Sequence, residues 1–178
     1  MKSKITGSLS AIFFLFTLTF MSCSKNNEVL PTEPVPIDLT QDQVALIESG
    51  NAFAFDIFSQ VLKSAGENEN VMISPLSISY ALSMTVNGAN GATRDAILEA
   101  LRLKGLSVEA INNSYKNLTE ALLSVDKRVL MSIANSVWIE NNFTAKKSFT
   151  DILKDYYNAD AETFDINDAS APDKINAW

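Results

Sequence analysis

The sequence predicts an α+β fold, and three observations carry that expectation. Apolar residues recur at three- and four-residue intervals through several segments of helical length. Short apolar or alternating runs of strand type interrupt them. No repeat at the periods of helical solenoids links the segments, so a stacked helical array is not expected.

The 178 residues carry a net charge of −7, with 47% apolar and 20% charged residues, the profile of a chain able to bury a core. An acidic surface repels phosphate backbones, and no stripe alternates Lys or Arg with aromatic residues, so nucleic acid is not an expected partner. There is no histidine, and the only cysteine is Cys23. A Ser-His-Asp or Cys-His nucleophile therefore cannot be assembled from these residues. The same absences leave no tetrahedral zinc site and no intrachain disulfide, and no motif implies a cofactor.

Lys2 and Lys4 precede an apolar run from Leu9 to Met21, too short for an ordinary membrane span. Residues 1–22 read as an export signal and are set aside from the fold. The run ends at Phe20-Met21-Ser22-Cys23, and a small residue followed by a lone cysteine resembles the lipobox of bacterial lipoproteins, departing from it at Phe20. That resemblance implies cleavage before Cys23, acylation of Cys23, and an exported outer-membrane lipoprotein, periplasmic or at the cell surface. A plain secretory signal is the alternative. Residues 23–39 are largely polar and hold Pro31, Pro34 and Pro36, which fix φ and oppose helix, so they read as a tether. The folded portion is expected over 40–178.

Thr40 and Gln43 have the spacing of a capping box, each side chain reaching the other's free backbone N–H, and predict a helix from Thr40 to about Ala65. Val44, Ile47, Asn51, Phe55, Phe58 and Leu62 fall on one stripe expected to face a core. Asn51 is its polar member, read as a structural amide with partners, because an unsatisfied buried amide costs about 1–3 kcal/mol. After the polar turn 66–70, Val71-Met72-Ile73 reads as a short strand. Ser74 can cap a helix whose first position is Pro75 and which runs to about Asn87. That helix is nearly apolar all round, with Ser77, Ala81, Thr85 and Gly88 in one line, and is expected to be central and closely packed.

Gly88, Asn90 and Gly91 end it, and Thr93 is placed as the cap of a short helix through Leu101. Val108 to Ser124 forms an amphipathic helix with Val108, Ile111, Tyr115, Leu118 and Leu122 on one side. Val129 to Ile139 is apolar or small on both alternating faces, as in a central strand covered on both sides. From about Ala145 to Tyr157, Phe149, Ile152, Leu153 and Tyr156 return to helical spacing, and Ala161 to Ile166 alternates like an edge strand. Ser170 and Asp173 have the spacing to cap a last helix. The N-x-Ser/Thr triplets at Asn112, Asn117 and Asn142 are read as chance beside a bacterial type of signal.

This order of elements resembles the opening of the serpin fold, and local sequences carry the resemblance further. Asn51-Ala52-Phe53-Ala54-Phe55-Asp56 looks like the family's first-helix pattern, and Val71 to Ser79 resembles its strand-to-second-helix signature. Gly88 to Thr93 is similar to its Gly-Ala-x-Gly-x-Thr turn, and Ile133 to Trp138 to the Ala-Asn stretch of the second strand of its main sheet. Phe143, Tyr156 to Ala159 and Lys174 to Trp178 continue the match in order. A Ser-Pro start or an Ala-Asn strand is unremarkable alone, so their order and spacing carry the identification.

The resemblance implies the N-terminal portion of a serpin fold, incomplete: helices A to the start of F, the first strands of sheet A and one strand of sheet B. It implies an inhibitor of serine, or cysteine, proteases whose exposed reactive loop is cleaved and inserted as a new strand into the main sheet. By that resemblance Ser74, Pro75 and Ser77 belong to the hinge beneath the sheet. Asn51, Gly88, Thr93, Asn135, Phe143 and Asn176 are structural positions. The reactive loop and the strands that part for it belong to the family's second half, so 40–178 would be inactive alone. Two other classes stay open: a non-inhibitory surface lipoprotein binding glycan or peptide, and a hydrolase built on paired carboxylates, for which no acid pair shows a constraining spacing.

Overall fold

The fold comes from a computed structural model that describes residues 33–66 and 68–178. The export signal, Cys23 and the first part of the tether lie outside the described residues. The last tether residues run along the folded part: the Val35 N–H donates to the Val125 carbonyl at 2.7 Å.

Helix α1 spans Gln41–Ser64 and opens with the expected capping box, Thr40 Oγ1 accepting from the Gln43 N–H and Gln43 Oε1 accepting from the Thr40 N–H. Its buried face is not the predicted stripe. Gln43, Leu46 and Phe53 are buried and Ile57 packs beside them, whereas Val44, Phe58 and Leu62 are exposed and Phe55 is 77% exposed. Two stripes of equal spacing, one position apart, compete on this helix, and contact with other helices selects the one that periodicity alone did not favour. Asn51 is exposed, so it carries none of the cost of a buried amide.

Val71–Ile73 forms no strand ladder among the described residues, and Met72 is 95% exposed. A strand is defined by a hydrogen-bonded neighbour, and none lies alongside this run. Helix α2 follows over Pro75–Gly88, capped by Ser74 with Pro75 at its first position. Ser79, Tyr80, Ser83, Met84 and Val86 are buried, but the line Ser77, Ala81, Thr85 and Gly88 is exposed. The helix therefore packs on one side rather than all round.

Helix α3 covers Gly91–Ala100, and its cap is Asn90, not Thr93. Asn90 is extended and its Oδ1 accepts from the Gly91 N–H, while Thr93 already lies inside the helix. Gly91 has φ +52°, a conformation that side chains strain, which fixes glycine there. Helix α4, Val108–Ser124, is capped by Ser107 as its Oγ accepts from the Ala110 N–H, and it buries Ile111, Asn112, Ser114 and Tyr115.

Strand β1 is Asn135–Glu140, helix α5 is Lys147–Tyr157 and strand β2 is Ala159–Phe164. Together they make a parallel β-α-β crossover, in register from Asn135 opposite Ala159 to Glu140 opposite Phe164. Asn158 ends α5 in the left-handed conformation and turns the chain directly into β2, two residues earlier than periodicity predicts. Because β2 begins opposite Asn135, residues 129–134 have no ladder partner among the described residues. Leu130 is fully exposed, and the predicted eleven-residue strand contracts to six. Both faces of β1 are half covered: Val137 packs on the core, and Trp138 lies on the other side under Lys174.

Helix α6, Ala171–Asn176, ends the chain. Ser170 has helical φ and ψ and its Oγ donates to Asp168 Oδ1, so it makes no cap to the helix and the predicted Ser170–Asp173 box does not form. The core gathers Leu46, Phe53, Tyr80, Met84, Ile111, Tyr115, Leu153 and Tyr157, where α1, α2, α4 and α5 meet beneath the sheet.

Candidate functional site

Ser74 sits just before the first turn of α2, where backbone N–H groups have no partner within the helix. Its Oγ accepts from the Ser77 N–H at 3.4 Å and lies 2.8 Å from Ser77 Oγ, with Pro75 occupying the position where a missing N–H costs nothing. From this turn a cleft of about 530 Å³ runs along α2 past Tyr80 and Met84. Its far wall is residues 131–136, the approach to and start of β1, with Trp178 at the mouth. Four small hydroxyl side chains, Ser74, Ser77, Ser132 and Ser136, share its lining with larger ones such as Leu76, Met131 and Ile133.

Below the cleft, buried polar groups tie three helices together. Tyr157 donates its hydroxyl to Asn112 Oδ1 at 2.7 Å, and Asn87 and Asn112 exchange amide hydrogen bonds at 2.9 and 3.0 Å. Asn87 Nδ2 also reaches the Ser83 carbonyl at 3.0 Å, and Asn135 Nδ2 donates to the Tyr157 carbonyl at 2.9 Å, joining α5 to β1. The rings of Tyr80, Tyr115 and Tyr157 pack mutually, with centroids 4.7 to 6.2 Å apart, and the Tyr80 hydroxyl pairs with Thr119 Oγ1.

Burial pushes all three phenols above their ordinary value. The Thr119 hydroxyl opposes the rise at Tyr80, Ser79 and Ser83 oppose it at Tyr115, and the neighbouring Tyr115 adds to it at Tyr157. Neutral phenols, amides and hydroxyls offer no acid–base pair. The arrangement ties α2, α4 and α5 to one another and α5 to β1.

On the other face of the sheet, Lys174 of α6 donates to the Thr163 carbonyl at 2.8 Å and lies 5.4 Å from the centre of the Trp138 ring. Trp178 Nε1 donates to Asp160 at 3.1 Å. The last helix thus lies across β1 and β2, as its resemblance implies.

The structure brings Ser74, Pro75, Ser77 and Asn135 around one region. Gly88 lies apart, against the Phe149 ring, where an added Cβ would come within 3.0 Å of a ring carbon. Asn51, Thr93, Phe143 and Asn176 do not join the site: Asn51 is exposed on α1, Thr93 is inside α3, Phe143 is 69% exposed, and Asn176 ends α6 in solvent. Sequence reasoning missed Asn87, Asn112 and Tyr157 as one network. The available signal was Asn112, which falls beside Ile111 on the same face of α4 as Tyr115.

A sequence model of the family described as Serpin (serine protease inhibitor) matches residues 48–178. Neuroserpin of Mus musculus is 30% identical over 118 residues, covering 66% of this chain and 29% of that protein. An uncharacterized serpin-like protein of Thermococcus kodakarensis is 27% identical over 158 residues, 87% of this chain and 36% of that one. Among solved structures, the thermophilic serpin tengpin in its latent state is 30% identical with a TM-score of 0.66, covering 81% of this chain and 37% of that one. An Arabidopsis serpin in its native stressed conformation is 26% identical with a TM-score of 0.67, covering 80% and 36%. The chain spans about a third of the length of the relatives it matches.

Proposed function

The chain belongs to the serpin family, and on that premise we propose that it is the fixed N-terminal frame of a serine protease inhibitor that works by loop cleavage and insertion. Its α+β architecture corresponds to the N-terminal part of the serpin fold. One observation supports this role above others: among the described residues β1 is paired along one edge only, with a serine-bearing cleft at its start and a helix across its face. A strand with one open edge is a template for further strands, and in this proposal the rest of the family length supplies them.

The protease partner would attack a loop outside this chain. The chain would contribute the half of the sheet that stays in place, and 40–178 alone would not inhibit. The test is to produce the protein extended to full family length and mix it with serine proteases. A complex that survives SDS supports the reading, whereas cleavage without a complex favours a non-inhibitory surface protein.

We further propose that Cys23 carries lipid and anchors the protein at the membrane, a reading supported by the lipobox-like Ser22-Cys23 after the apolar run. Palmitate labelling in bacteria should be lost on Cys23→Ser. Labelling that persists in that variant removes the anchor.

A further inference from the structure

Two Asn-Gly pairs stand three residues apart, Asn87-Gly88 and Asn90-Gly91. A glycine after asparagine leaves the next backbone nitrogen unshielded by a Cβ, so that nitrogen can reach the side-chain carboxamide. The fold treats the two pairs oppositely. We propose that Asn90 is a site of spontaneous deamidation in the folded protein and that Asn87 is protected from it.

Asn87 lies within α2, half buried. Its Nδ2 donates to the Ser83 carbonyl and to Asn112 Oδ1, both at 3.0 Å, and its Oδ1 accepts from Asn112 Nδ2 at 2.9 Å. Turning that carboxamide toward Gly88 would break all three bonds, and Gly88 is itself helical. Asn90 is exposed and extended, at φ −143° and ψ 161°. Its Oδ1 lies 2.9 Å from the Gly91 nitrogen, so its carboxamide is already beside the amide that would attack it, and this is its only hydrogen bond among the described residues. Gly91, at φ +52°, occupies a region that glycine enters and leaves without steric cost.

In the reaction, solvent hydroxide removes the Gly91 amide proton and the nitrogen attacks Asn90 Cγ. The N–Cγ bond forms, the Cγ–Nδ2 bond breaks, and Nδ2 leaves as ammonia with a proton from water. Solvent water then opens the five-membered imide at either carbonyl, giving aspartate or isoaspartate. Aspartate keeps a capping oxygen and adds negative charge where the α3 dipole favours it. Isoaspartate inserts a methylene into the main chain between α2 and α3, beside the Ala89 carbonyl that Arg94 Nε holds at 2.9 Å.

The test incubates the purified chain at mildly alkaline pH and physiological temperature, folded and in parallel unfolded in urea, followed by peptide mapping with fragment ions that locate each change. In the folded chain, a gain of about one dalton should accumulate at Asn90 at least about tenfold faster than at Asn87, with isoaspartate among the products. Urea should remove most of that difference, and Asn90→Ser, which keeps a capping oxygen, should abolish the gain at position 90. No gain at Asn90 in the folded chain, or equal rates at the two asparagines, would overturn the proposal.

Discussion

Tyr157 is the side chain through which α5 reaches the buried amides of α2 and α4, and its hydroxyl gives Asn112 Oδ1 one of two donors. Tyr157→Phe leaves that oxygen its bond from Asn87, so the loss is a single buried hydrogen bond, about 1 kcal/mol of stability by urea unfolding. The same phenols set an alkaline limit. Burial raises them above the ordinary value of 10.0 that they regain on unfolding. Above about pH 10 the unfolded chain therefore binds fewer protons than the folded one and stability falls as pH rises, whereas below that value these groups leave stability unchanged. The urea midpoint should drop from that pH upward, and less steeply in Tyr157→Phe. An equal slope in the variant would remove Tyr157 from this account.

At the scale of elements, helix starts were legible where one side chain serves one orphan amide. Thr40 and Ser74 carry such local signals, and both make the bonds their spacing predicts. The buried face of α1 was not legible, because Val44-Ile47-Phe55-Phe58 and Leu46-Phe53-Ile57 are both apolar stripes and packing from elsewhere chooses between them. The length of β1 was not legible either, since a ladder ends where its partner ends, and Ala159 is 24 residues away from its partner Asn135 in the chain. Of the region that the resemblance assigns to a hinge, the Ser74-Pro75-Ser77 turn was readable. The Asn87–Asn112–Tyr157 network was not, because its members come from three helices. Ser77 is exposed at the cleft, so Ser77→Leu should leave α2 and the circular dichroism intact while filling space between α2 and residues 131–136. In the protein at full family length, the account expects that variant to be cleaved by its target protease as a substrate, and an unchanged stoichiometry of inhibition would misplace the hinge.

For the whole molecule, the exposed Phe55, Met72 and Leu130 and a two-stranded sheet open at both edges among the described residues describe a frame with surfaces still to be covered. Large apolar side chains in water and an open strand edge favour association, so this frame in isolation is expected to self-associate as its concentration rises. The central claim is that the frame belongs to a sheet able to accept one more strand, with the gain in pairing and burial driving the change. Differential scanning calorimetry on the protein at full family length, before and after cleavage of its reactive loop, tests this most directly. A cleaved form that unfolds at a markedly higher temperature than the intact form is the predicted result; a cleaved form that unfolds at the same or a lower temperature would contradict it.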